Sequence, residues 1–386
     1  MTQPFASEES GHPASAPSLA APPRERLLAL DWLRGIAVLV MAQCHVFNAL
    51  LAPDYRRAGW FSAMQWMDGL VAPAFLLVSG GVMGMNLNNR WPDVVNRGAA
   101  WRRLWRRVGQ IFVVAYLLHL PTPLLWQFFG VRGPHLIALW TKMDILQCVA
   151  GSLALILLLV PLTRRPGTHR IVCAALGVIA ATATMAVDAW APGVRWPQWL
   201  MNYLWPTGVG KFPLAPWAAF PLLGVWIGPA IFTQKSKWTQ TARALAAGGL
   251  FLLAAQFMHS RLAYDAPFVF WRGGWVLIGL AGCCWLGAPK RGTEWLLQFG
   301  QLSLWSYTVH LIIVYGSGIS LGLDTLVPLI MKVAARVLNL GPPPPGLTPW
   351  ATLAWLVVVL YVTGLVVKWR AKALQRQKTV RIMPAK

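Results

Sequence analysis

Four polar side chains lie within an otherwise apolar stretch near the beginning of the chain, LDWLRGIAVLVMAQCHVFNAL at residues 30–50. They are Asp31, Arg34, His45 and Asn48. A charged side chain at the centre of a membrane-spanning helix costs roughly 2.5–3.5 kcal/mol on insertion scales, so such residues tend to mark functional sites. A histidine can move a proton near neutral pH. The residue types therefore indicate proton transfer in a site buried among helices.

The spacing of these residues places them on one stripe of a helix. Arg34 and His45 are eleven residues apart, so at about 100° per residue they lie on one line, roughly 16 Å apart along the axis. Asp31 lies about 40° and Asn48 about 60° from His45 around the axis. Such a stripe must face the bundle interior or a water-filled cavity. The alternative is an i,i+3 ion pair near the interface and a histidine that simply packs in the bundle.

A second polar stripe occurs in GQLSLWSYTVHLIIVYG, residues 300–316. Ser303, Ser306, Tyr307 and His310 occupy positions i, i+3, i+4 and i+7, which share one helix face. We expect Ser303, Tyr307 and His310 to bind substrate at the depth of the first histidine. Hydroxyl groups that only pack helices together are the alternative.

Two further segments carry polar residues that could serve the same site. Arg102, Arg103, Arg106 and Arg107 form two i,i+4 pairs before an apolar segment. They are typical of an anchor on anionic lipid and equally of a phosphate-binding site, because arginine binds phosphate through paired hydrogen bonds. Asp144 and Gln147 begin another apolar segment and either line the same cavity or cap a helix.

The composition indicates an integral membrane protein. Of the 386 residues, 56% are hydrophobic and 12% are charged, whereas soluble domains have roughly 25% charged residues. The net charge of +22 would suggest nucleic acid in a soluble protein, but here it follows the positive-inside rule, so we expect no nucleic-acid partner. The five cysteines lie in apolar segments without metal-ligand spacing, so we expect neither a disulfide framework nor a metal site.

The apolar segments predict an all-α polytopic fold with about ten transmembrane helices, because each crossing needs about 20 apolar residues. With both termini in the cytoplasm, the inside connections hold 23 Lys and Arg residues and the outside ones hold 10. The predicted spans are 28–51, 66–87, 108–127, 143–162, 171–190, 214–233, 244–259, 269–287, 296–316 and 350–368.

The remaining segments complete the predicted domain organisation. Residues 1–26 are rich in Pro, Ser and Ala and predict a disordered cytoplasmic tail. Residues 27–369 form the transmembrane domain, and 370–386 form a basic cytoplasmic tail. Residues 322–339 predict an additional amphipathic interfacial or re-entrant helix, since a further crossing would place the basic tail outside.

Several motifs resemble the transmembrane acyltransferase superfamily. Arg34-x10-His45 in LDWLRGIAVLVMAQCH is similar to the first-helix motif of the acyltransferase type 3 family. Five other segments resemble the related heparan-α-glucosaminide N-acetyltransferase-like group: VAPAFLLVSGG (71–81), AAWRRLWRRVG (99–109), MDILQCVAGSLALILLL (143–159), FPLAPWAAFPLLGVWIG (212–228) and LSLWSYTVH (302–310).

The resemblance implies a ten-helix enzyme that moves an acyl group, in the simplest case acetyl, from cytoplasmic acyl-CoA to a hydroxyl or amine outside the cytoplasm. His45 would be the general base or carry the acyl group, and Asp31 would orient Arg34. The arginine run would hold the phosphates of acyl-CoA, while Asn48 would contact the acceptor. The resemblance also implies a glycan or glycolipid acceptor.

The sequence departs from the lysosomal members of that group at two places. Their first luminal loop contains a histidine, whereas residues 52–65 here have none, and His45 stands where they have asparagine. For this reason only His45 receives the catalytic role, and glucosamine as acceptor does not follow.

Two other functions are compatible with the polar stripe. A proton-coupled secondary transporter could use Asp31, Arg34 and His45 as a relay, although the chain has no evident internal repeat. A non-catalytic scaffold would leave the presence of Arg34 unexplained. The short loops favour a bacterial inner membrane, and the sequence gives no oligomeric state.

Overall fold

The computed structural model of the chain describes residues 27–118, 142–190, 197–205, 210–232, 236–259, 265–317 and 320–382. The predicted tail at 1–26 lies outside these residues. A 3-10 helix spans Pro53–Arg57, and the strands β1 (Gly316–Ser317) and β2 (Ser320–Leu321) pair in antiparallel fashion. The α-helices of the described chain are α1 Leu28–Leu50, α2 Gly59–Asn89, α3 Trp91–Val95, α4 Ala99–Leu118, α5 Ile145–Leu158, α6 Val160–Thr163, α7 Pro166–Trp190, α8 Gln198–Leu204, α9 Leu214–Trp217, α10 Ala219–Ile231, α11 Lys237–His259, α12 Asp265–Leu286, α13 Glu294–Gln301, α14 Ser303–Tyr315, α15 Leu323–Val337 and α16 Pro349–Ile382.

Within the described chain, seven helical segments are long and apolar enough to cross a membrane. They are Leu28–Leu50, Gly59–Asn89, Ile145–Thr163, Leu214–Ile231, Lys237–His259, Ala266–Leu286 and Pro349–Gln377. The protein is thus an all-α, multi-pass integral membrane protein. The predicted span 108–127 extends past Leu118 into residues outside the described part, and 171–190 falls within α7. The count of ten spans stays a prediction.

The predicted span 296–316 is wrong as a single helix. The backbone leaves the helical region at Leu302, with φ −110° and ψ 35°, and this break separates α13 from α14. The Ser306 hydroxyl lies 3.3 Å from the Phe299 carbonyl and 3.2 Å from the Leu302 carbonyl, so it stabilises the chain across the break. The break allows α13 and α14 to pack separately against α1.

Several helices continue beyond the apolar segments that predicted them. The helix predicted at 66–87 begins at Gly59, and that predicted at 244–259 begins at Lys237. The last helix continues to Ile382, so most of the predicted basic tail at 370–386 is helical. Lys, Arg and Gln are strong helix formers, so a helix does not have to end where its hydrophobicity ends.

The predicted amphipathic segment 322–339 forms a helix, α15. Leu329, Ile330, Val333 and Val337 are exposed on its surface. Its 15 residues are fewer than the roughly 20 that a crossing requires. Among the described helices, α15 is accordingly not one of the seven candidate spans.

Glycines allow α2 and α10 to pack with their backbones in contact. A Cβ atom placed on Gly228 of α10 would lie 2.6 Å from the Gly81 Cα, and one on Gly84 of α2 would lie 2.8 Å from the Val225 Cα. Small residues at such positions are the usual way for membrane helices to approach closely. The contact between α2 and α10 therefore leaves no room for a side chain.

The first helix lies at the centre of the site-bearing part of the bundle, in contact with α2, α12, α13, α14 and α16. Gly35 of α1 faces the Leu296 carbonyl of α13, and Gly300 of α13 faces the Asp31 carbonyl of α1. These contacts fix the backbone of α1 at the position of its ion pair.

We expect Gly228→Ala to lower the midpoint of thermal unfolding of the purified protein in detergent. The new methyl group would overlap the α2 backbone, and such overpacking costs about 1–3 kcal/mol. Gly282→Ala in α12 is the matched control, because no atom outside its own helix lies within 4 Å of the added Cβ. Equal midpoints for the two variants would contradict the tight contact.

Candidate active site

Two histidines face each other between α1 and α14. The ring centroids of His45 and His310 are 5.5 Å apart, and the rings are tilted by 32°. His310 is fully buried, and Tyr307 packs edge-on against it at 5.6 Å. The structure thus brings together residues that the two sequence stripes placed at a similar depth, and we call His45 and His310 the histidine pair.

A hydrogen-bond partner fixes the tautomer of His310 and is compatible with the same tautomer in His45. His310 Nδ1 lies 2.7 Å from the Ser306 carbonyl, which can only accept, so Nδ1 carries a proton. His45 Nδ1 lies 3.2 Å from the Tyr315 hydroxyl, which in turn lies 3.4 Å from the His45 carbonyl. When the hydroxyl donates to that carbonyl, it accepts from Nδ1–H. In both neutral rings, Nε2 then carries the lone pair that can take a proton.

The Nε2 atom of His310 has an additional feature. It is shielded from solvent and has no hydrogen-bond partner among the described residues. A buried nitrogen without a partner costs free energy, so a substrate group that donates to it would gain that hydrogen bond. The geometry gives the pair one acceptor nitrogen that is free for a ligand.

Charged residues from two connecting segments act on the histidine pair. Asp144 and Lys211 act electrostatically on His45. Asp144 also caps α5, because its Oδ1 accepts from the Ile145 N–H at 2.7 Å, while the Lys211 N–H donates to the Met143 carbonyl. Of the two roles expected for Asp144 from the sequence, capping is present, whereas lining of the site stays a prediction.

The other end of the polar stripe carries the ion pair. Asp31 Oδ1 and Arg34 Nη1 are 3.8 Å apart, and both side chains are mostly buried. Arg34 also lies within electrostatic reach of Arg107 on α4. Two guanidinium groups therefore come together about three helical turns from the histidine pair.

A cleft lies at the depth between Arg34 and the histidine pair. It is partly open to solvent, and its cavity has a volume of about 70 Å³. Its lining residues come from α1, α2, α4, α5 and α14, and they include Met41, Phe75, Arg107, Ser303 and Tyr307. We call this space the central cleft. It has Arg107 in its wall and also contains Tyr307, which contacts His310.

The structure separates residues that the sequence grouped together. All four arginines are exposed. Arg107 lines the central cleft, whereas Arg102, Arg103 and Arg106 are not part of its lining. Ser303 lines the cleft, but the Ser306 hydroxyl is used at the helix break.

Asn48 lies against α2 rather than in the histidine pair. Its Nδ2 donates to Cys44 Sγ at 3.3 Å, and its Oδ1 accepts from Gln65 Nε2 at 3.2 Å. A separation of about 60° around the helix is enough to turn it away from the face that carries His45.

Two residues of the site were missed by the sequence analysis. Tyr315 lies about 140° from His310 around α14, so helical spacing placed it outside the second stripe. Asp68 is an acidic residue within the apolar helix α2, a signal that was present in QWMDGL but had no partner in sequence. Gln43, which lies off the first stripe, donates to Asp68 Oδ1 at 3.2 Å once its amide is oriented to satisfy both neighbours.

Comparison with known proteins identifies the family. No curated protein is significantly similar to the chain. Residues 26–264 match the family described as heparan-alpha-glucosaminide N-acetyltransferase, catalytic. The match covers more than half of the chain and includes the polar stripe of α1 and the arginine run of α4. The chain therefore belongs to the heparan-alpha-glucosaminide N-acetyltransferase catalytic family, whose members are acetyl-CoA-dependent membrane acyltransferases.

Proposed function

We propose that the protein transfers an acetyl group from acetyl-CoA, which enters beside Arg34 and Arg107, to an acceptor hydroxyl or amine at the histidine pair. The observation that supports this most directly is the central cleft. It has a guanidinium in its wall and reaches a tyrosine that contacts His310. Acetyl-CoA has an anionic nucleotide head and a thin pantetheine arm that carries the acetyl group, and these two parts require such an arrangement.

The donor end of the site is built from Arg34 and Arg107. Guanidinium groups bind phosphate through paired, charge-assisted hydrogen bonds. The pantetheine arm would follow the cleft past Met41, over the roughly 16 Å of helix rise that separates Arg34 from His45. Arg102, Arg103 and Arg106 would contact the nucleotide from outside the cleft or bind lipid phosphate.

The acceptor end carries the chemistry. His45 Nε2 takes the proton of the acceptor O–H or N–H, and the freed lone pair attacks the thioester carbonyl. A C–O or C–N bond forms, the C–S bond breaks, and the proton passes from His45 to the leaving thiolate to give free coenzyme A. Alternatively His45 itself is acetylated first and the acceptor then takes the acetyl group from its nitrogen.

We further propose that the arginine end faces the cytoplasm and the histidine pair faces the opposite side, in a bundle of ten spans with both termini inside. The excess of Lys and Arg in the proposed inside connections supports this orientation. The acceptor is then an extracytoplasmic glycan or glycolipid, and the membrane is a bacterial inner membrane. The family assignment offers no support for the transporter or scaffold alternatives.

We expect His45→Ala to reduce acetyl-CoA-dependent transfer at least about 100-fold, since a general base contributes 10²–10⁴-fold. The measurement is coenzyme A release in the presence of acceptor, with acetyl-CoA binding measured in parallel. His259→Ala is the control, because His259 is exposed at the end of α11. Full activity of the His45 variant would exclude both routes described above.

We expect Arg107→Gln to weaken acetyl-CoA binding by about 10- to 100-fold, because hydrogen bonds to a charged group contribute about 1.5–3 kcal/mol. Calorimetry on the purified protein measures this directly. Arg103→Gln removes the same charge from a position on the same helix that does not line the cleft, and it should weaken binding much less. If both substitutions have the same effect, binding depends on general positive charge and not on the cleft.

A further inference from the structure

A second polar cluster lies between α1 and α2. It consists of Gln43, Cys44, Asn48, Gln65 and Asp68, and we call it the α1–α2 polar cluster. Its hydrogen bonds run from Gln65 to Asn48 and from Asn48 to Cys44. The Cys44 thiol and the Gln43 amide both interact with the Asp68 carboxylate.

The cluster is more than a set of contacts that hold two helices together. Asp68 Oδ2 is shielded from solvent and has no hydrogen-bond partner in the described part of the chain. Among the described residues no lysine or arginine forms an ion pair with Asp68. The Arg272 guanidinium packs against the neighbouring Gly69 without forming an ion pair with Asp68. A carboxylate in a membrane helix is expensive, and such residues are functional by default. The free oxygen needs a donor that the described protein does not provide.

The cluster is also connected to the histidine pair and to the surface. Cys44, which contacts Asp68, precedes His45 in sequence and acts electrostatically on Tyr315, the partner of His45. At the other end of the cluster, Asn48 is exposed. A polar path therefore leads from the surface to the neighbourhood of the catalytic base.

The charges around this path are mainly negative. Among the described residues, Asp68, Asp144, Asp324 and Lys211 act electrostatically on Cys44, His45 or Tyr315. The Arg272 guanidinium also lies close to the path, against Gly69. Three carboxylates against two cationic groups favour a ligand that carries a positive charge or several hydrogen-bond donors.

We propose that Asp68 recognises the acceptor: its free Oδ2 accepts a hydrogen bond from the acceptor ammonium or hydroxyl and positions that group beside His45. Asp68 is a positioning residue, and its charge sets a preference for an amine over the corresponding hydroxyl. This inference rests on the proposed acetyl transfer and adds the residue that selects the acceptor.

The test compares two acceptors that differ at one position, glucosamine and glucose, each offered as the free sugar and as its octyl glycoside to the full-length protein with acetyl-CoA. In Asp68→Asn, which keeps the shape and the bonds to the cluster, kcat/KM for glucosamine relative to glucose should fall at least about tenfold. The change should appear in the KM for glucosamine, with the KM for acetyl-CoA unchanged. Asp54→Asn is the control, because Asp54 is exposed in the 3-10 helix.

The possible outcomes distinguish the role of Asp68 from the proposed acetyl transfer. An unchanged preference in folded Asp68→Asn reduces the cluster to helix packing and overturns the inference. Wild-type protein that acetylates only glucose overturns it too, but leaves acetyl transfer intact, whereas protein that acetylates none of the four compounds contradicts the proposed function itself. If Asp68→Asn does not fold, Asp68→Glu replaces it: the displaced carboxylate should raise the KM for glucosamine alone, and an unchanged value overturns the inference.

Discussion

Hydrocarbon cannot solvate polar groups, so the charged and hydrogen-bonding side chains in the interior of α1 have to be covered by other helices. Much of the described fold follows from this requirement. Gly35 and Gly300 bring α13 into backbone contact with α1 at the Asp31–Arg34 pair. The break at Leu302 then gives α14 its own direction, and this places His310 against His45. The site exists because two short helices cover what one long helix would have left exposed.

The same requirement divides the site into two chemically different ends. The end with Arg34 and Arg107 concentrates positive charge and suits capture of an anion. The histidine pair lies among tyrosines and hydrogen-bonded backbone carbonyls, where a neutral base can take a proton. The central cleft lies at the depth between them, with Arg107 and Tyr307 among its lining residues. In the proposed reaction, recognition of the donor and transfer of the acetyl group would take place at different depths of one helix bundle.

The amino-acid pattern predicted the bounds of α1 closely, as 28–51 against the observed Leu28–Leu50. A long apolar segment that ends in a loop leaves little freedom in where the helix begins and ends. It also predicted the direction in which His45 and His310 point relative to their own helices. It did not predict the partner of Asn48, since helical spacing specifies an angle around one axis and not the helix that lies there. Asp68 and Tyr315 were missed for this reason: their roles depend on which helices are neighbours. The break at Leu302 comes two residues after Gly300, but a single glycine in an apolar segment does not tell a helix break from a close helix contact.

The bond that fixes the tautomer of His310 has a consequence for how the sequence can change. Its acceptor is the main-chain carbonyl of Ser306, four residues earlier in the same helix. Any amino acid at position 306 would present that carbonyl, so the protonation pattern of the ring is inherited from helix geometry and not from a particular neighbour. Tyr315, by contrast, orients His45 through a side-chain hydroxyl that one base change could remove. The tautomer of His310 is therefore insensitive to the side chain at its partner position, whereas the orientation of His45 depends on keeping a tyrosine at position 315.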